Sequence, residues 1–452
     1  MSSTVRWTEE QILARLDSLS SEREGDALRA YHWLQPLGRW LLPRALLERA
    51  IKEAVERGGR ARRPELLPEQ AAVLVAWTGA RFQGLVERGL LRGAFVLPVQ
   101  WKRDEHHDVR LPRALIAEAD RVCRRFEGTS SRWGLQSGIA ADLSGLEMEA
   151  KSAWAILAAS LQLVRCGLRC RIGVTATACF DEADGLSGVE KRTIRSKLVA
   201  AQEAGLDLVF VADVDREETR ASARELKIKA GELRDDRDGN GARRLRQILT
   251  PLLRELSQEP EASAPLEQRK AHFGFISEGS QIRSNPRARE YYKQALLADL
   301  LERCARRSRE ALKGIARGGT LITFLTLDPL GALFAAHAVQ PRRIYCFHTA
   351  ESYDAASGRG GEAQELLQRC TQHLEMVSVN QQYSVLPENL PEPLVLDILS
   401  WRNDVLLRVL RLLNGRRFEV VHLKHDGERT PDTEELCHEA SLCIAVQEQG
   451  HR

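Results

Sequence analysis

Apolar residues recur along this chain in two patterns, one helical and one typical of short buried strands. Up to about residue 90 the helical spacing dominates, as in TEEQILARLDSL, where Thr8 and Gln11 occupy the positions of a capping box. LLPRALLERAIKEAVERGG predicts a second helix that ends at a glycine pair. PEQAAVLVAWTGARFQGLVERGLL predicts one or two more. Residues 1–92 are therefore expected to form a helical N-terminal region.

From residue 93 strands and helices alternate. GAFVLPVQW and GLQSGIAADLSG predict strands on either side of the helix DVRLPRALIAEADRVCRRF. LEMEAKSAWAILAASLQLVRCG then predicts a helix with Ser152 at its second or third position, and RCRIGVTATACF a strand that contains Thr175. KRTIRSKLVAAQEAGLDLVFVAD predicts a helix carrying Lys197, followed by an apolar strand.

The rest of the chain divides into a charged part and an α/β part. Residues 216–317 are rich in Arg, Glu and Lys and predict a charged helical connector. Residues 318–452 hold the short apolar strands TLITFLTL, RRIYCFHT, LEMVSVN and FEVVHLKHD, separated by helical segments, which predicts a mostly parallel sheet. The expected fold is α/β and multidomain, with parts at 1–92, 93–215, 216–317 and 318–452.

Composition narrows the class of protein. With 452 residues, 43% hydrophobic and 29% charged, the chain is long enough for two to four domains. The net charge of +3 is too small to indicate nucleic-acid binding by itself. Nine cysteines without a CxxC pair predict reduced thiols. No leader or membrane span is recognised, so a cytoplasmic protein is expected.

A metal site is the less favoured interpretation of the His106–His107–Asp108 cluster. The three residues lie in a polar turn and no further ligand follows at helical spacing. We therefore expect a loop there, and no metal.

Ser152 and Lys197 have the layout of a serine–lysine dyad, since they start or occupy separate helices 45 residues apart with a strand between them. A serine hydroxyl needs a base to take its proton, and lysine serves only where burial or a helix N-terminus lowers its pKa. Ile194, Leu198 and Val199 supply the apolar flank. Each residue also has a structural alternative: Ser152 as a helix N-cap, Lys197 as a solvated helix residue, and Thr175 as a strand former.

The segment from 93 to 215 resembles the proteolytic domain of the Lon family. In that family the serine precedes a helix of small residues, as in SAWAILAASLQLVRCGLRCRIGVT, and the lysine lies in a segment similar to GVEKRTIRSKLVAAQEAGLDLVFVAD. The resemblance implies an α+β protease domain with Ser152 as nucleophile, Lys197 as base and Thr175 as the strand threonine near them.

The sequence departs from the Lon pattern at three places. Glu149, Ala150 and Lys151 replace the residues before the serine, Ala176–Thr177 replace a Gly-Glu pair, and Arg192–Thr193 stand in place of paired glycines. No G-x-x-x-x-G-K-[ST] phosphate loop occurs, so an ATP-driven unfolding motor is not expected. A peptidase of this kind would take exposed segments or be gated.

Polar residues follow the predicted strands of the C-terminal part, where ligands bind in open α/β sheets. The arrangement is similar to CARF domains, Rossmann-like sensors of cyclic oligoadenylates in prokaryotic antiviral defence, with PRRIYCFHTAES and LKHDGERTPDTEEL as the matching segments. The resemblance implies Thr326, Ser352, Lys424 and Gly427 as ligand contacts. It also implies a homodimer.

Together these features predict an ATP-independent, Lon-like serine endopeptidase that a CARF-like domain regulates in CRISPR-type defence. Its expected partners are a protein substrate and a cyclic oligoadenylate activator, with no other cofactor, no membrane and no nucleic-acid duplex. A non-catalytic scaffold or adaptor of Lon-like fold is the alternative. A DNA-binding or nuclease role for the C-terminal part is less favoured, since it lacks a basic stripe and clustered carboxylates.

Overall fold

The protein is a mixed α/β chain that divides into two compact units, residues 1–280 and 281–452. The computed structural model describes residues 6–78, 80–127, 132–181, 185–189, 191–212, 216–235, 241–277, 285–309, 312–313, 318–325, 330–350, 353, 359–379, 390–398, 403–413, 416–425 and 440–444. Of the predicted boundaries, those after residues 92 and 215 fall inside the first unit, and the one after 317 falls inside the second.

The first unit contains eleven helices and eleven strands among its described residues. The helices are α1 (Glu9–Leu16), α2 (Asp26–Trp33), α3 (Gly38–Leu41), α4 (Arg44–Glu56), α5 (Gln83–Glu87), α6 (Arg113–Glu127), α7 (Trp154–Arg165), α8 (Lys191–Glu203), α9 (Arg216–Leu226), α10 (Gly241–Leu256) and α11 (Leu266–Ser277). The strands are β1 (Arg6–Thr8), β2 (Ala71–Trp77), β3 (Ala94–Arg103), β4 (Trp133–Ser137), β5 (Asp142–Gly145), β6 (Met148–Glu149), β7 (Val174–Thr177), β8 (Cys179–Asp181), β9 (Gly185–Ser187), β10 (Leu208–Ala212) and β11 (Lys229–Leu233).

Two sheets position the residues of interest in the first unit. An antiparallel sheet has the order β4-β3-β2-β6, and a parallel sheet has the order β11-β10-β7. Helix α7 packs on β2 and β7, and helix α8 packs on β2 and β3. Helix α7, which follows Ser152, and helix α8, which carries Lys197, therefore both pack on one strand, β2, which is buried along its whole length.

The N-terminal prediction is confirmed in part. Thr8 and Gln11 form the capping box of α1, and α4 ends before the glycine pair. The helix predicted over residues 71–77 is wrong, because this segment is strand β2, paired with β3 from Ala71 to Ala76. A short apolar run that is buried on both faces carries no period by which a strand and a helix can be told apart. Residues 229–233, expected to be helical, are likewise a strand, β11.

The second unit is built on one six-stranded sheet. Its described helices are α12 (Pro286–Tyr291), α13 (Leu297–Ser308), α14 (Leu330–Val339), α15 (Arg359–Gln368) and α16 (Asn403–Leu412). Its strands are β12 (Thr320–Leu325), β13 (Arg343–His348), β14 (His373–Ser378), β15 (Leu394–Asp397), β16 (Phe418–His425) and β17 (Ala440–Ile444). The four predicted strands are confirmed, whereas β15 and β17 were not predicted.

The sheet of the second unit has the order β14-β13-β12-β15-β16-β17, and only the pair β16–β17 is antiparallel. The predicted mostly parallel sheet is therefore present. Its five parallel strands follow the doubly wound order, which reverses direction between β12 and β15. In such sheets the crevice at the carboxyl ends of the two strands flanking the reversal is the usual ligand position.

Candidate active site

Ser152 and Lys197 meet in the interior of the first unit. The Nζ atom of Lys197 donates a hydrogen bond to Oγ of Ser152 at 2.5 Å, and both residues are 0% exposed. Ser152 lies in a 3-10 turn, Lys151–Ala153, directly before α7. The predicted pair is thus brought into contact across 45 residues of sequence.

Local sequence explains why a lysine side chain is buried here. Lys197 belongs to the same face of α8 as Ile194 and Ala201, and both of those are buried. Residues three and four apart on a helix share one face, so packing that stripe inward takes the lysine with it. The prediction placed Lys197 near the positive helix N-terminus, but it lies near the middle of the 13-residue helix, where the end effect has faded.

The start of α7 is held by aromatic packing. Trp154 is fully buried and stacks on Phe180 of β8, with ring centroids 4.8 Å apart and planes 25° apart. The backbone N–H of Ala178 donates to the carbonyl of Ser152 at 2.9 Å. These contacts fix the turn that carries Ser152 against the end of β7.

Glu149 is the residue at this site that the sequence did not indicate as functional. Its Oε2 accepts from Lys197 Nζ at 2.5 Å and from Ser152 Oγ at 2.8 Å, and its Oε1 accepts from the backbone N–H of Ser152 at 3.0 Å. The signal in the sequence was an acidic residue three positions before the candidate nucleophile. In the Lon comparison it counted only as a departure from the pattern.

Electrostatics favour an ionised Glu149. Burial raises the pKa of this carboxyl, but the Lys197 charge and the hydrogen bonds from Lys197 and Ser152 outweigh burial, so that the pKa lies below its ordinary value. The side chain is 21% exposed, which makes it the one member of the three that reaches the surface. Ser152, Lys197 and Glu149 form a closed cluster, called the dyad cluster below.

Two backbone N–H groups beside Ser152 that could stabilise an oxyanion are already engaged. Ser152 N–H is bonded to Glu149, and Ala153 N–H donates to the carbonyl of Ala150 at 2.9 Å. An oxyanion hole needs free donors aimed at the developing charge. In this arrangement the carboxylate of Glu149 occupies the position at the Ser152 N–H that the oxyanion of a reacting substrate would need.

Thr175 lies in β7 as predicted, but its hydroxyl is directed elsewhere. Its Oγ1 donates to the carbonyl of Ala72 at 2.5 Å, and the residue is fully buried. The hydrogen bond joins β7 to β2, the strand on which both α7 and α8 pack. Thr175 makes no hydrogen bond to Lys197, and its hydroxyl joins the two sheets instead.

Most of the predicted ligand contacts of the C-terminal unit fall outside the described residues. Thr326, Ser352 and Gly427 lie outside the described residues, and Lys424 belongs to β16, where only its backbone is described. Close to the reversal of the strand order, Thr323 Oγ1 donates to Asp397 Oδ2 at 2.8 Å, with both residues buried. His348, at the end of β13, packs against Tyr353 with ring centroids 4.5 Å apart.

Other sequence features have structural roles. His107 Nδ1 accepts from the backbone N–H of Leu135 at 2.9 Å, and Nε2 lies 3.1 Å from Asp120. Across the described ranges no three His, Cys, Asp or Glu side chains are grouped so that they could hold a metal ion. In the same ranges no helix combines the length and the apolar character needed to cross a membrane.

Comparison with known proteins identifies no family for this chain. No model of a known protein family matches the chain, and no curated protein matches it. Among solved structures, the mitomycin 7-O-methyltransferase MmcR is similar over 48% of this chain and 72% of its own, at 13% identity and a TM-score of 0.23. A similarity at that score indicates neither fold nor activity for this chain.

Proposed function

We propose that this protein is an ATP-independent serine endopeptidase in which Lys197 activates Ser152. The observation that carries the proposal is the 2.5 Å contact between Lys197 Nζ and Ser152 Oγ in a fully buried position. A buried lysine whose amine touches a serine hydroxyl supplies both parts of a nucleophile and its base. The resemblance to the Lon family, carried by the same two residues, gives the reaction class.

The proposed reaction is acyl transfer through Ser152. Neutral Lys197 takes the proton of Oγ as Oγ attacks the scissile carbonyl, and it then gives this proton to the departing amine. Water attacks the resulting acyl-serine, Lys197 accepts a proton from that water, and the proton returns to Oγ as the ester breaks. The N–H groups of the turn before α7 are the candidate oxyanion donors.

The described arrangement corresponds to a resting state of such an enzyme. Lys197 Nζ donates to the carboxylate of Glu149, whereas a general base must present a free lone pair to the serine hydroxyl. Glu149 also engages Ser152 N–H, which is needed for the oxyanion. Catalysis therefore requires Glu149 to leave both groups, and the turn that carries it must move.

Regulation is assigned in this proposal to the C-terminal unit. The doubly wound strand order and the CARF resemblance support a cyclic oligoadenylate as ligand at the carboxyl ends of the parallel strands. Thr326, Ser352, Lys424 and Gly427 are the proposed contacts. Binding in a homodimer would shift the equilibrium between two states, with the charged residues 216–317 transmitting the change to the dyad cluster.

The test of the enzyme is cleavage of a co-expressed protein partner by the full chain, with and without cyclic oligoadenylates. Ser152→Ala and Lys197→Ala are each expected to abolish cleavage. Glu147→Gln, at an exposed position in the same loop, is the matched control and is expected to retain it. Undiminished cleavage in both dyad variants would contradict the proposal.

A non-catalytic scaffold is the second candidate, and two observations favour it: Ser152 is fully buried, and its N–H is occupied by Glu149. A serine-directed fluorophosphonate separates the two functions, because only an activated serine reacts. Labelling of Ser152 that disappears in Lys197→Ala supports the peptidase. Absence of labelling in the presence of cyclic oligoadenylates, together with intact partner binding, supports the scaffold.

The ligand of the C-terminal unit is tested separately. The full chain is titrated with cyclic tri-, tetra- and hexa-adenylate and with duplex DNA, with the bound fraction measured by calorimetry. Lys424→Ala is expected to weaken cyclic oligoadenylate binding about tenfold, the effect of one charged hydrogen bond. Tight binding of DNA and none of the cyclic nucleotides would overturn this part of the proposal.

A further inference from the structure

A second carboxyl lies close to the dyad cluster, that of Glu118 on α6. The residue is 2% exposed, and its Oε1 has no hydrogen-bond partner within the part of the chain that the structure describes. Its Oε2 lies 3.2 Å from Nη1 of Arg121, whose side chain is 46% exposed. A buried carboxyl with one oxygen unsatisfied is rare, because desolvation of that oxygen is not offset.

Glu118 belongs to the helix that packs on the turn carrying the nucleophile. Burial raises the pKa of Glu118 to about 7, opposed by Arg121 and Lys151 and reinforced by the negative charge of Glu149. Helix α6 packs directly on the 3-10 turn Lys151–Ala153. Glu118, Glu149 and Lys151 are therefore neighbours across the α6–turn contact.

Cys179 lies on β8, a strand that packs on the same turn Lys151–Ala153. Burial is the main cause that raises the pKa of its thiol to about 11, with Glu149 and Glu118 acting in the same sense and Lys197 and Lys151 in the opposite sense. The pKa of this thiol therefore depends on both carboxyls and on Lys197. Of the other elements that pack on α6, β4 (Trp133–Ser137) holds no ionisable side chain, and Arg165 of α7 extends to the carbonyl of Phe126.

The cations of this region leave one oxygen of Glu118, Oε1, without a partner among the described residues. Lys197 is engaged by Glu149 and Ser152, and Arg121 and Lys151 are exposed to water. When Glu118 is ionised, Arg121 pairs with Oε2 from the exposed side, and Oε1 has no hydrogen-bond donor among the described residues. A buried carboxylate oxygen without a donor is destabilising, and a cationic group of a bound molecule can supply that donor.

We propose that Glu118 receives a cationic side chain of the substrate, so that the peptidase prefers a lysine or arginine next to the scissile bond. The inference rests on the proposed function and adds a substrate class to it. The turn Lys151–Ala153 explains how both groups become accessible. When this turn moves away from α6, Ser152 and the unsatisfied Oε1 of Glu118 become exposed together. The substrate cation then pairs with Glu118 in the region where the ion pair between Glu149 and Lys197 has been broken.

The test uses fluorogenic peptide libraries that differ only at the residue before or after the scissile bond. Lysine and arginine are compared with the uncharged analogues norleucine and citrulline, using the full chain with cyclic tri-, tetra- and hexa-adenylate present. The wild type is expected to favour the basic peptides at least about tenfold in kcat/KM. Glu118→Gln, of equal size and without charge, is expected to bring the ratio close to one.

Asp120→Asn is the matched control, since it removes one carboxylate from the same helix at a half-exposed position and is expected to keep the preference. Equal hydrolysis of basic and neutral peptides by the wild type, or an unchanged preference in Glu118→Gln, overturns the inference while the peptidase stands. Absence of all hydrolysis and of fluorophosphonate labelling of Ser152 overturns the proposed function, and the inference with it.

Discussion

The carboxylate of Glu149 lies 2.5 Å from the amine of Lys197, and the same oxygen accepts the hydroxyl hydrogen bond of Ser152. One acidic side chain therefore engages both groups that a serine–lysine dyad would use. It is also the most exposed of the three. In the proposed enzyme, this relationship makes the reactivity of Ser152 depend on where Glu149 is held, and it leads to separate tests of reactivity, stability and pH dependence.

Removing the charge of Glu149 is expected to activate Ser152. In Glu149→Gln the neutral amide holds Lys197 and Ser152 less firmly than a carboxylate, because charge-assisted hydrogen bonds are about twice as strong as neutral ones. Labelling of Ser152 by a fluorophosphonate should become at least about tenfold faster. The rate is followed by intact-mass spectrometry with Glu147→Gln as control. Labelling at or below the wild-type rate would show that Glu149 does not restrain the serine.

The pair Glu149–Lys197 is expected to be energetically coupled. Lys197→Met and Glu149→Gln each leave the other charge without its partner, so the double variant should be more stable than the sum of the two changes predicts, by about 1–3 kcal/mol. Urea unfolding followed by tryptophan fluorescence measures the free energies of unfolding. Trp401 is the one tryptophan in the sequence after residue 280, so the fluorescence reports mainly on the first unit. Additive effects would mean that the ion pair contributes nothing.

Glu118 is expected to make stability fall as the pH rises toward neutrality. Its pKa is raised to about 7 by burial, above the ordinary value of 4.5, so the folded state holds this proton more tightly than the unfolded chain does. The stabilisation is complete below about pH 4.5 and is lost as the pH rises through about 7, and it amounts to roughly 3 kcal/mol.

Comparison of wild type with Glu118→Gln between pH 5 and 8 isolates that contribution. The free energy of unfolding of the wild type should decline relative to the variant across this range. Glu149 acts in the opposite sense and at lower pH, because its pKa is lowered and its contribution is lost on acidification. Parallel curves for the two proteins would place the Glu118 carboxyl outside this titration range.

Thr175→Val tests whether this threonine is structural or part of the reaction. The variant keeps the strand-forming shape and loses the hydrogen bond to the Ala72 carbonyl, leaving that buried acceptor unsatisfied, which should lower the free energy of unfolding by about 1–3 kcal/mol. Because the hydroxyl does not contact Lys197, the labelling rate of Ser152 should change less than about threefold. A loss of labelling as large as that of Lys197→Ala would return Thr175 to the catalytic group.

Local pattern in the sequence was sufficient for most of the α/β architecture. The capping box at Thr8 and Gln11, the helix after Ser152 and the alternating strands of the second unit all follow from spacing and end signals that act over a few residues. The same reasoning failed at Ala71–Trp77. That run is apolar at every position, and only its pairing with β3 decides that it is a strand.

For the candidate site, the sequence by itself determined the two residue types and their helices, because a lysine in the apolar stripe of α8 has to be carried inward when that stripe packs. Tertiary structure alone decided that Lys197 Nζ meets Ser152 Oγ, that Glu149 closes on both, and that Thr175 bonds to Ala72. These contacts join residues as far as 103 positions apart. They are set by how β2, α7 and α8 pack. The spacing of residues along the chain does not determine the direction in which a hydroxyl or a carboxylate points once these elements have packed.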